Sequence, residues 1–132
     1  ITLLQNFYIS GAIVVTTPQK MSIADVQKAI NMLQDEHIGI PILGIVENMS
    51  WFTPTKHTDE KYFIFGQGGA QKLSEALNLS VLAQIPINEL IFQDCDKGNL
   101  SDIFEDPNID SAFKLLACEV INQKKEYQYI RE

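Results

Sequence analysis

Asn48 follows an apolar run, Ile42 to Val46, and the acid Glu47. Its side-chain amide offers one acceptor and two donors on a flat group, which matches the acceptor and donor edge of a purine such as adenine. A satisfied turn residue is the other reading of the same position. Two further polar or turn-forming stretches also end apolar runs: Thr16 to Gln19 after Ala12 to Val15, and Pro86 to Asn88 after Val81 to Ile85. Pro86 lacks a backbone donor and stops a strand whether or not a ligand lies beside it. The glycine run FGQGG, with Gly66, Gly68 and Gly69, opens a helix, and its amides suit an anion. It lacks the Gly-Lys-Ser/Thr ending of a phosphate loop, so a tight structural turn is expected there. His37 and His57 belong to no ligand pattern, and Cys95 and Cys118 match neither a disulfide framework nor a Cys-x-x-Cys spacing. No Ser/His/Asp or Cys/His arrangement stands out, and the acids are scattered along helix faces. The residues give a ligand edge without a catalytic group.

The elements that must carry this edge follow from periodicity. Ala12 to Val15 and Ile42 to Val46 read as strands buried on both faces. Between them Ile23, Val26, Ile30 and Leu33 recur at helical spacing, which predicts a helix from about Ser22 to Asp35 with Ser22 and Asp25 approximating a capping box. This strand, helix and strand make a right-handed parallel crossover. Trp51 to Glu60, polar and carrying Pro54, reads as an exposed excursion, followed by a short aromatic strand from Tyr62 to Phe65. A helix is predicted from about Ala70 to Leu77, ended by Asn78 in the left-handed region, and then a buried strand from Val81 to Ile85. A helix from Glu89 to Lys97 is closed by Gly98, a turn is expected at Asp106 to Asn108, and a last helix from about Asp110 to Lys124 has a stripe of Phe113, Leu116, Ala117 and Val120. Ligands of open parallel sheets lie beyond the carboxyl ends of the strands, where the three polar stretches fall.

At 132 residues and 45% hydrophobic, the chain suffices for one core, so one domain or a piece of one is expected. The formal net charge of −7 and a pI near 4.7 argue against a nucleic-acid backbone or an anionic membrane surface as partner. There is no secretion-signal pattern and no apolar stretch of the roughly 18 residues that cross a bilayer, so a cytoplasmic protein is expected. The chain begins with Ile, which suggests that its start is missing.

Three stretches, in order, resemble one family: GAIVVTTPQ at Gly11 to Gln19, ILGIVENMSWF at Ile42 to Phe52, and IFGQGGAQKL at Ile64 to Leu73 with QIPIN at Gln84 to Asn88. Together they are similar to the later half of the Mrp/ApbC branch of the MinD-like P-loop ATPases, linked to iron–sulfur cluster carriage and assembly. The resemblance covers about Ile1 to Leu100. It implies an α/β fold with a mainly parallel Rossmann-like P-loop NTPase sheet, of which residues 1–132 form the C-terminal part of a single nucleotide-binding domain. It further implies ATP at the carboxyl edge, Mg²⁺ on its phosphates, a homodimer facing across the nucleotides, and iron–sulfur scaffold or acceptor proteins as partners. Asn48 matches the family's adenine-reading asparagine, and Pro86 and Ile87 match the loop that lines the base. Thr17, Pro18 and Gln19 match a loop near the nucleotide and the dimer face.

Two departures qualify what the resemblance implies. The family's phosphate-binding loop, with its lysines and its Ser/Thr for Mg²⁺, lies upstream of this sequence, so the chain alone is not expected to hydrolyse ATP. Many relatives carry a Cys-x-x-Cys between the VENM strand and the IFG segment, where this chain reads SWFTPTKHTDEKYF. Thiolates are the normal ligands of iron–sulfur clusters, so their absence here places cluster binding by this chain in doubt. The reading is of an ATP-hydrolysing assembly factor as the complete protein. The alternatives are a non-catalytic interaction module that keeps the fold and a MinD-like positioning ATPase.

Overall fold

The computed structural model describes residues 6–54 and 56–131, with side chains through residue 126. The order of elements is β1 (Ala12–Thr16), α1 (Lys20–Gln34), β2 (Ile42–Glu47), α2 (Gly69–Leu77), β3 (Val81–Gln84), α3 (Glu89–Lys97), a 3-10 turn at Asp102–Glu105, and α4 (Pro107–Arg131). The three strands form one parallel sheet in the order β1-β2-β3. Parallel neighbours cannot be joined by a tight hairpin, so each connection carries a helix that covers the sheet.

All six residues of β2 are buried, as its unbroken apolar run requires. On one face Ile42 and Ile45 pack with Val14, with Ile30 of α1 and with Ala70 and Leu73 of α2. On the other, Val46 joins Leu82 and Ile85, covered by Phe113, Leu116 and Val120 of α4. Two packed layers of helix thus enclose the strand that ends in Glu47 and Asn48. Gly44 permits the close fit: a Cβ there would stand 2.6 Å from Leu82 Cγ and 2.7 Å from the carbonyl oxygen of Ser80.

Several expectations are corrected. β1 is covered on one face only, with Ile13 40% and Val15 56% exposed, because α4 lies over β2 and β3 and the described residues place no helix over the outer face of β1. Helix α1 starts at Lys20, two residues before Ser22; Gln19 takes the cap position without a side-chain bond, and the Ser22 hydroxyl instead accepts from Thr17 at 2.7 Å. Tyr62 to Phe65 is not a strand. Tyr62 forms an isolated antiparallel bridge with Phe52, and the chain then turns, with the Gly66 amide donating to the Phe63 carbonyl.

Asp106 to Asn108 is not a separate turn but the start of α4. The Asp106 carboxylate accepts from the amides of Asn108 (2.8 Å) and Ile109 (3.3 Å), and Pro107 takes the first helical position, where no amide hydrogen is needed. Ala117 is exposed, so the packed stripe is Phe113, Leu116 and Val120. Asn78 and Gly98 end their helices in the left-handed region, with φ of 52° and 73°. Among the described residues no helix is long and apolar enough to cross a membrane.

Candidate functional site

The loops that leave the three strands are laced together through the backbone. The Asn48 amide donates to the Thr16 carbonyl (2.7 Å), Ile85 to Glu47 (2.8 Å), Ser50 to Ile85 (2.9 Å) and Ile87 to Trp51 (2.7 Å). The end of β1, the segment Asn48–Trp51 and the segment Ile85–Ile87 therefore share one edge of the sheet. Thr17, Asn48, Pro86 and Ile87 all lie along it.

Asn48 is half-buried, and its side-chain oxygen accepts the amide hydrogen of Met49 at 2.9 Å. Met49 adopts a positive φ of 55° at this bend. Because a backbone donor can pair only with the oxygen of the amide, this bond orients the side chain. Nδ2 is left with two hydrogens and no protein partner among the described residues. A half-exposed, oriented donor at a strand end is suited to an acceptor on a flat ring.

Pro86 and Ile87 line a cavity of about 470 Å³ with Trp51, Phe52, Lys61 and Asn88. Thr17, Pro18 and Asn48 are not in that lining, so the structure divides the five candidate residues between the sheet edge and the neighbouring cavity. One wall belongs to the excursion. Phe52 and Tyr62 exchange two backbone bonds of 2.8 Å, and Lys61 Nζ stands 4.1 Å from the Trp51 ring centre, an attraction between a cation and an aromatic face. The Tyr62 hydroxyl donates to the Glu60 carboxylate, and this bond, with a smaller effect of burial, holds the Tyr62 pKa above the usual phenol value.

The residue that sequence reasoning passed over is Glu47. It is 1% exposed, and its carboxylate accepts three hydrogen bonds: from the Ser50 hydroxyl (2.5 Å) and Gln84 Nε2 (2.9 Å) on one oxygen, and from the Ala70 amide (2.9 Å) on the other. Gly68, at the start of α2, has no side chain with which to cap it, so Glu47 does so across the sheet edge. The glycine run is thus a tight turn, as expected, and the anion at its helix is the protein's own carboxylate. Gly69 lets the Thr17–Gln19 loop close on this point, since a Cβ there would stand 2.4 Å from the Pro18 carbonyl oxygen. A signal was present in the sequence: an acid at the end of a strand buried on both faces must find donors.

Among the described residues no group of three or more His, Cys, Asp and Glu is placed to hold a metal ion, and Cys95 and Cys118 are exposed free thiols.

Comparison with known proteins supplies what the geometry lacks. A ParA family described as "NUBPL iron-transfer P-loop NTPase" matches residues 1–121. The iron-sulfur cluster carrier protein of Aquifex aeolicus is 39% identical over 127 residues, which is 96% of this chain and 34% of that protein. The iron-sulfur cluster transfer protein NUBPL of Mus musculus is 37% identical over 123 residues, 92% of this chain and 37% of that protein. The chain therefore spans about a third of the length of these relatives. Among solved structures, a nucleotide-binding protein of Archaeoglobus fulgidus in complex with ADP matches with a TM-score of 0.59 and 35% identity, covering 69% of this chain and 36% of that one.

Proposed function

This chain belongs to the ParA-like NUBPL/Mrp family of iron–sulfur cluster carriers, of P-loop NTPase type, and from that premise we propose that it is the base-reading part of an ATP site. The observation that carries the proposal is the Asn48 amide, its oxygen fixed by the Met49 amide and its Nδ2 unengaged at the carboxyl edge of a parallel sheet. Such a donor faces the ring acceptors of adenine, while Pro86 and Ile87 on the neighbouring loop offer apolar contact to the base. Thr17 and Pro18 border the same edge and are assigned to the nucleotide side of the dimer face.

The phosphates and their Mg²⁺ find no fitting residues here. The amide at the glycine run that would suit an anion is engaged by Glu47, and the chain carries no lysine-bearing phosphate loop. Hydrolysis is therefore assigned to the complete protein, where residues 1–132 are the C-terminal part of a single nucleotide-binding domain and the phosphate loop comes from the remainder. In that protein Mg²⁺ would neutralise phosphate charge, and the task of this chain is to orient the base. We assign the complete protein to the cytoplasm as a homodimer that delivers clusters to acceptor proteins. The cluster is its cargo. Because the excursion at 51–61 has no cysteine, the thiolates that hold this cargo must come from elsewhere in the protein or from the partner.

The test is calorimetric titration of Mg·ATP and Mg·GTP into the protein expressed from its full reading frame. The wild type is expected to prefer ATP, and Asn48→Ala to lose about 1–3 kcal/mol of ATP binding. Equal affinity for the two nucleotides before and after the substitution would remove Asn48 from the site.

A further inference from the structure

Glu47 adjoins Asn48 in the chain but points into the protein. Its three donors come from three separate segments: Ser50 from the loop after β2, Ala70 from the first turn of α2, and Gln84 from the end of β3. Ser50 lies on the far side of Asn48 from Glu47, so their 2.5 Å bond closes a short loop with Asn48 and Met49 at its tip. The same loop is held at its base by the amide of Asn48 on the Thr16 carbonyl and by the amide of Ser50 on the Ile85 carbonyl. A bend that places Met49 at positive φ is an unfavourable backbone state, and it persists only when surrounding bonds fix it. Among the described residues, the Glu47 carboxylate and the Ser50 hydroxyl join the two ends of this bend through their side chains.

We infer that Glu47 is a positioning residue for base selection: its buried carboxylate sets the direction of the Asn48 amide and ties it, through Ala70 and the Gly69 contact with Pro18, to the loop after β1. The inference rests on the proposal that Asn48 reads the base, and goes beyond it by assigning selectivity to a residue that the nucleotide never touches. Glutamine at 47 can keep the Ala70 amide on its oxygen only if the Ser50 hydroxyl and the Gln84 amide both turn to accept from its NH₂ group, and the charge-assisted bond that closes the loop is lost. Loop 47–50 then relaxes, and the Asn48 amide is no longer held where a purine edge requires it. A displacement of about 1 Å at a positioning contact is enough to matter at this level.

The experiment measures Kd for Mg·ATP and Mg·GTP with the protein from its full reading frame, as wild type, Glu47→Gln, Asn48→Ala and the double variant, with a thermal melt of each. Glu47→Gln is expected to weaken ATP binding roughly five- to tenfold and GTP binding much less, so that the ratio falls. In the Asn48→Ala background the second substitution is expected to change the ratio no further, since the two residues act through one contact. A lowered melting point with an unchanged ratio, or an equal loss for both nucleotides, would make Glu47 a structural residue only and overturn the inference. A ratio that Asn48→Ala leaves untouched contradicts the base-reading proposal itself, and the positioning role falls with it. If Glu47→Gln does not fold, Ser50→Ala opens the same loop while leaving the carboxylate in place. A fall in the ratio then supports the inference, and no fall refutes it.

Discussion

The carboxyl edge of the sheet has two sides of different character. On the Glu47 side, the loop after β2, the first turn of α2 and the end of β3 converge on one carboxylate, and a single added methyl group at Gly69 would collide with the Pro18 backbone. On the Trp51 side, the loops that follow β2 and β3 line a cavity of about 470 Å³, and its excursion wall is fastened by the backbone bridges of Phe52 to Tyr62 and to Ile87 and by a surface cation on Trp51. Under the proposed base-reading role, one edge serves two needs. Selecting a base needs a donor held in a fixed direction, which buried hydrogen bonds provide. Admitting a ligand needs room, and the more weakly fastened loops supply it.

Substitutions can break this contrast in order of size. Glu47→Ala strands three donors in or beside the core and is expected to destabilise the fold by about 3 kcal/mol or more, measured by urea unfolding. Asn48→Ala, one residue away and half-exposed, is expected to leave that unfolding midpoint nearly unchanged. Comparable losses at the two positions would erase the distinction between holding and reading.

Gly69→Ala adds a methyl group against a backbone carbonyl that cannot rotate away, and a loss of about 1–3 kcal/mol is expected by the same measurement. A neutral result would show that the loop after β1 does not press on α2. The smallest effect belongs to the open side. Tyr62 titrates above the ordinary phenol value because Glu60 accepts its hydrogen, so its contribution to stability is present below the unfolded tyrosine pKa and is lost as pH rises through the folded value. Ultraviolet titration of Glu60→Gln should return one of the four tyrosines toward the ordinary value while leaving the urea midpoint at neutral pH unmoved.

How much of this was legible in the residues varied with locality. β2, α3 and the left-handed ends at Asn78 and Gly98 were readable because continuous apolar runs, caps and left-handed turns are local signals. The half-covered state of β1 was not, since Ile13 and Val15 have the same composition whether or not a helix lies over them. Tyr62 to Phe65 had strand-forming side chains but only Phe52 as a partner, and a strand depends on what it pairs with. Asn48, Pro86 and Ile87 were proposed from their place after apolar runs and from family resemblance. Their common edge became visible only with the backbone bonds among Thr16, Asn48, Trp51 and Ile87. Glu47 escaped because its partners Ala70 and Gln84 are 23 and 37 positions away in the chain.

The most direct measurement is a crystal structure of the protein from its full reading frame with Mg²⁺ and a non-hydrolysable ATP analogue. The account predicts Asn48 Nδ2 about 2.9 Å from a ring nitrogen of the adenine, Glu47 still bound to Ser50 and Ala70, and the phosphates held by residues outside this chain. An adenine that lies away from Asn48, or phosphates seated on the glycine run in place of Glu47, would contradict it.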